Sequence, residues 1–205
     1  HHDGRQGIMP DRSKPPAART PQKFLLPGAL IYELDNGLPV HVLSLGDLPT
    51  VKIEFIFRAG ARFEQEDGTS FFTIKMLAEG AKHYNSKDIS AFFEQYGAFL
   101  EMQRGPDYAT IELLAVERHI QEILPRLFDI IHNPSFPAEE LELLKMIQQQ
   151  HLSVNLEKNS YQAATTFREK LYGEDHPYGR SLTFDTIDHQ QRDTLLSFYQ
   201  ESIPD

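Results

Sequence analysis

Cysteine is absent from the chain, which removes disulfides and thiolate chemistry and leaves the redox compartment open. No apolar run approaches the roughly 18 residues that cross a bilayer. No signal peptide is visible, because the N-terminus has no apolar central region. Excess positive charge is missing too. The formal net charge is −10, which disfavours wholesale binding to nucleic-acid phosphates. That charge is uneven. Residues 1–24 hold five basic and two acidic side chains, net +3, so the remainder carries −13. His-x-x-x-His spacing, which places two imidazoles on one helical face, occurs nowhere. The adjacent His1 and His2 are given no metal role.

What is present suits one folded domain. Of 205 residues, 40% are hydrophobic and 24% charged, a composition that can bury a substantial core. Residues 1–22, with Pro10, Pro15, Pro16 and Pro21 and little apolar periodicity, read as an extended arm. The domain is expected over 23–205. Asn36-Gly37 between two strand-like runs is a hairpin signal. Val51–Arg58 alternates as a strand. The period then changes. Thr69–Glu79 suits a helix closed by Gly80, and Asn85 or Ser86 can cap a second helix ending at Gly97. Two strands are expected at Phe99–Gln103 and Tyr108–Val116. Glu117–His132 reads as a helix with Pro125 inside, which predicts a kink or a late start. Long helices follow at Ala138–Glu157 and Tyr161–Tyr172, and a last one at Gln190–Glu201. This order implies α+β, an antiparallel sheet with helices packed mainly on one face.

Several phrases occur in a fixed order. They are Asn36-Gly37; Arg58-Ala-Gly-Ala-Arg62 leading to Gly68; Gly97-Ala98 with Asp107-Tyr108; Pro134-Ser-Phe-Pro137; His176-Pro-Tyr-Gly-Arg180; and Phe198-Tyr199 with Pro204-Asp205. Each is weak alone. Together they resemble the N-terminal domain of the insulinase/pitrilysin/mitochondrial processing peptidase family of zinc proteases. The resemblance implies that His-x-x-Glu-His follows Gly68 on a helix: two histidines bind one zinc ion and the glutamate activates its water. It also implies a third ligand, a glutamate, on the long helix.

Here the matching positions are Phe71, Ile74 and Lys75. Phenylalanine has no lone pair to give, isoleucine accepts no proton, and an ammonium group repels a divalent cation. The third-ligand position falls at about His151, give or take one residue, which brings in Gln150. No catalytic residue and no metal or other cofactor site is therefore assigned. Phe71, Phe72 and Met76 are expected to be core, Lys75 and Glu79 a solvated i,i+4 pair, and His151 a surface residue. In a sharper reading Lys75 plugs the former metal cavity, paired with a carboxylate. The resemblance implies that Gly97–Gln103 corresponds to the strand that takes up substrate in active members. Glu101-Met102 departs from the family pattern there, so an ordinary strand is expected.

The resemblance implies the first domain of a longer two-domain subunit. Its function would be a non-catalytic domain or subunit of a zinc metalloendopeptidase, enclosing a peptide chamber with an active homologue or with a second domain. The alternative is a structural assembly module that uses the protease fold without a proteolytic partner. An unconventional metal site using His151 and carboxylates is a third, weaker reading. Peptides are the ligand class implied. Compartment stays open between bacterial periplasm and cytoplasm.

Overall fold

The computed structural model describes residues 27–203, which divide after Asp47 into two units. The arm expected over 1–22 lies outside the described residues.

In the first unit, Leu30–Glu33 (β1) and Pro39–Val42 (β2) pair antiparallel, with Tyr32 opposite Val40. The Asn36-Gly37 signal works as its chemistry requires. Gly37 has φ +82, a conformation that costs glycine nothing. Asn36 Oδ1 accepts from the Leu38 amide at 3.1 Å.

In the second unit, Thr50–Phe57 (β3) and Ala109–Val116 (β7) pair antiparallel, and β7 also pairs with Phe99–Arg104 (β6), giving the order β3-β7-β6. Alternation sets the faces. Ile53, Phe55 and Phe57 turn to the core, while Lys52, Glu54 and Ile56 are exposed. On β7, Ala109, Ile111, Leu113 and Ala115 are buried. The described residues also form the helices Thr69–Met76 (α1), Ser86–Gln95 (α2), Ile120–His132 (α3), Ala138–Leu156 (α4), Asn159–Tyr172 (α5), Phe184–Asp188 (α6) and Arg192–Ser202 (α7); as the α+β reading requires, α1 packs on β6 and β7 and α2 on β6, and Phe128 of α3 meets Phe55 of β3 edge-on. A small hairpin, Gly80–Ala81 (β4) with Tyr84–Asn85 (β5), joins α1 to α2.

Capping follows sequence. Asn85 accepts from the Asp88 amide at 2.9 Å and Asp88 returns the bond to the Asn85 amide, a reciprocal capping box. Pro125 neither ends nor precedes α3. A 3-10 turn, Glu117–His119, delays the α-helix to Ile120, and the proline sits in its second turn. Pro134-Ser-Phe-Pro137 turns the chain between α3 and α4. Its Phe136 is buried with φ +46, a strained position for a bulky residue. Arg192 of α7 holds it, its Nε donating to the Phe136 carbonyl at 3.0 Å and Nη2 to the Ser135 carbonyl at 3.1 Å. The core converges on α1: Phe72, Ile74 and Met76 are each at most 1% exposed.

Candidate functional site: the helix that follows Gly68

Helix α1 is built to be held from almost every side. Thr69, Ser70, Phe72, Thr73, Ile74 and Met76 are all buried, and the helix packs against β6, β7, α4 and α7. Only Phe71 and Lys75, one turn apart, reach the surface, and both are half-buried. Ala78 and Glu79, also half-buried, continue this stripe in the 3-10 turn that follows. The residue between them that matters most, Ile74, is 1% exposed.

The entry to α1 is fixed by a polar network that joins distant stretches of sequence. Gly60 and its neighbours lie directly on the β6–β7 turn. The Ala61 amide donates to the Gly105 carbonyl at 3.2 Å and the Arg62 amide to the Pro106 carbonyl at 2.8 Å. A Cβ on Gly60 would stand 2.4 Å from the Asp107 carbonyl carbon, so only glycine allows this backbone-to-backbone approach. Gly68, at φ +93, caps α1 in the left-handed region.

Between these glycines lies Glu64, its side chain 3% exposed. One oxygen accepts from the Ser70 amide at 2.9 Å and the other from Arg104 Nη2 at 3.2 Å. Burial pushes its carboxyl above the usual range, and Arg104 and the Ser70 amide only partly offset that. The Ser70 hydroxyl donates to the Ala59 carbonyl. The His176–Arg180 loop closes the network. The Tyr178 hydroxyl lies 2.6 and 2.7 Å from the two Asp107 oxygens. That bond holds the phenolic proton in place and raises its pKa. Arg180 pairs with Asp67 at 2.7 Å, and Gln190 Nε2 donates to the Asp67 carbonyl at 2.9 Å. The network positions a helix; none of its side chains is presented to a cleft as an acid–base pair.

The four positions singled out in the sequence separate in character. Phe71 and Lys75 share the open stripe of α1, Ile74 belongs to the core, and His151 is an exposed residue of α4. Phe71 packs edge-on against Phe72, ring centroids 5.3 Å apart. The expected Lys75–Glu79 pair does not form. Glu79 Oε2 instead accepts from the Ser86 hydroxyl at 2.7 Å, because the β4–β5 turn brings the start of α2 back over it. Lys75 makes no ion pair among the described residues.

This donor set does not fit a catalytic zinc ion. A zinc protease site needs three protein ligands and a base. Here two of the positions are hydrocarbon and one is cationic. Among the described residues, no group of three His, Cys, Asp or Glu side chains is placed to hold a metal. Glu64, Asp67, Arg104, Tyr178, Arg180 and Gln190 were not singled out as individual side chains from the sequence. Three of the phrases behind the resemblance, Arg58–Arg62, Asp107-Tyr108 and His176–Arg180, meet in this network.

Comparison with known proteins agrees with the geometry. The sequence profile of the insulinase family, Peptidase family M16, matches residues 42–183. An uncharacterized zinc protease of Rickettsia bellii is 26% identical over 178 residues, covering 82% of this chain and 42% of that protein. Subunit 1 of the bovine mitochondrial cytochrome b-c1 complex is 24% identical over 150 residues, covering 70% of this chain and 31% of its own length. Among solved structures, the M16 peptidase inactive domain from Pseudomonas fluorescens superimposes with a TM-score of 0.73 at 22% identity. It covers 83% of this chain and 42% of its own length. The chain thus spans well under half the length of these relatives.

Proposed function

The chain belongs to the insulinase family of peptidases, family M16, and on that premise we propose that it is a non-catalytic domain of a zinc metalloendopeptidase assembly. Its work is to wall a peptide-sized chamber and to hold an active homologue, or a second domain of the same protein, in its closed form. The observation that carries this reading is the side chains of α1. Phe71, Ile74 and Lys75 stand where the family places two imidazoles and a carboxylate. Two of them have no lone pair to offer, and Lys75 brings a positive charge to a position that should bind one. Retention of the fold around that helix supports a role in assembly. The β6–β7 turn, the Gly60 approach and the Tyr178–Asp107 bond are all intact. The likeness to an M16 inactive domain points the same way.

The test mixes the full-length protein with a His-x-x-Glu-His homologue from the same source. A stable complex and faster peptide cleavage than the homologue achieves alone are expected. No complex and unchanged cleavage would refute the proposal.

A second reading is favoured by the likeness to cytochrome b-c1 subunit 1. In it the domain serves assembly with no proteolytic partner. Co-purification with subunits of a non-proteolytic complex, and no effect on any homologue's cleavage, separates it from the first.

A further inference from the structure

Away from α1, a small cavity between β5, α2 and α3 brings a guanidinium, two carboxylates and two aromatic rings to one place. It measures about 230 Å³ and is lined by Tyr84, Phe92, Glu122, Pro125, Arg126 and Asp129. The four residues from α3 recur at i, i+3, i+4 and i+7, which puts them on one face of that helix. Tyr84 comes from β5 and Phe92 from α2. None of the six belongs to the polar network at the entry to α1.

Two groups in this cavity lack partners. The first is Arg126. Its Cζ lies 3.5 Å from the Tyr84 ring centroid and 4.2 Å from that of Phe92. Phe92 is itself held edge-on by Phe93 and Tyr96, at 5.5 and 5.1 Å. Cation–π contact engages the face of a guanidinium and leaves the N–H donors at its edge. Those donors find no acceptor and no ion pair among the described residues. The second group is Asp129. Its Oδ1 accepts from Asn133 Nδ2 at 2.9 Å, whereas its Oδ2 is buried and accepts nothing among the described residues. Orphan buried acceptors are rare, because each has lost its hydration without compensation.

A ligand that answers both groups carries two acceptor oxygens and a cationic donor close together. The planar fork of arginine fits the two oxygens of a carboxylate. Glu122, the second carboxylate of the lining, opposes a dianion such as phosphate and favours a positive charge beside Asp129. The volume falls below the roughly 300–1,000 Å³ that takes a drug-sized ligand, so the occupant is small. We propose that this cavity binds a small α-amino acid, its carboxylate on the Arg126 guanidinium and its ammonium on Asp129 Oδ2.

Calorimetric titration of the full-length protein tests this with L-alanine, L-lactate, ethylamine and inorganic phosphate. Lactate has a carboxylate like that of alanine and a hydroxyl in place of the ammonium, and ethylamine has the ammonium alone. Alanine is expected to saturate one site, binding roughly tenfold or more tightly than each of the others. Asp129→Asn is expected to weaken alanine roughly tenfold without weakening lactate. Arg126→Lys, which keeps the charge and loses the fork, is expected to weaken both.

No saturation by alanine at about 10 mM would overturn the proposal, since two charge-assisted contacts hold a small ligand more tightly than that. Another probe binding as tightly as alanine would overturn it too, because the site would then read one charge and not the pair. Alanine binding that Asp129→Asn leaves intact contradicts the place given to the ammonium. Should Arg126→Lys fail to fold, the probe series and Asp129→Asn decide the matter. None of these results bears on the mixing experiment, which judges the role in assembly by itself.

Discussion

Side chains of α1 that share a motif do not share an environment. Glutamate at position 74 would place a carboxylate in a position that is 1% exposed, so Ile74→Glu is expected to destabilise the fold by about 3 kcal/mol or more. Histidine at 71 or 75, on the half-open stripe, is expected to cost about 1 kcal/mol or less. Urea titration of the three variants checks the difference. Thr73 is a subtler case. Its hydroxyl is buried and has no hydrogen-bond partner among the described residues, so Thr73→Val is expected to leave stability unchanged or raise it slightly.

Glu64 gives a pH dependence of definite sign. Desolvation raises its folded pKa above the unfolded value. Its contribution to stability is therefore fully present below the unfolded pKa and is lost as pH rises through the folded value. Relative to Glu64→Gln, the unaltered protein is expected to lose ground as pH rises from about 4 toward neutrality. Paired thermal melts read this directly, and a difference that grows in the other direction would contradict it. Much of this was not legible from sequence. Glu64 and Arg104 are 40 residues apart, Tyr178 and Asp107 71, and Gln190 and Asp67 123. Periodicity and capping rules describe neighbours along the chain and do not connect such pairs.

Among the elements, the strands with clean alternation and the helices with strong caps were legible. β3 and β7 run as read from their apolar positions, and Asn85 caps α2 as its side chain allows. The five-residue α6 and the two-residue strands β4 and β5 were not, since each is too short for a period to show. The Lys75–Glu79 pair failed for a physical reason. Spacing along α1 is right for it, but the tertiary turn into α2 supplies Glu79 with a nearer donor.

The resemblance phrases, legible only as phrases, acquire causes in the structure. Gly60 is one of them. With the Asp107 backbone 2.4 Å from the place a Cβ would take, Gly60→Ala is expected to cost about 3 kcal/mol or to prevent folding. Gly97→Ala, at φ +60 with open space around it, is expected to cost only the left-handed strain of about 1–2 kcal/mol. Helix α5 differs from α1 in the same way, having no buried residue. Its amides are expected to exchange with deuterium well before those of α1.

At the scale of the whole molecule, the M16 family fold surrounds a helix that carries Phe71, Ile74 and Lys75. Fold class and family were readable because core periodicity and turn glycines are spread across the second unit. What that helix does was less readable, because function sits in side chains presented by a scaffold and not in the scaffold itself. The pseudo-peptidase reading depends on α1 being unable to grip a metal ion. Zinc content of the full-length protein, purified without chelator and measured by plasma mass spectrometry beside His151→Ala, addresses this most directly. The expected result is zinc far below one ion per chain, the same in both proteins. One tightly held ion per chain, lost on replacing His151, would contradict it.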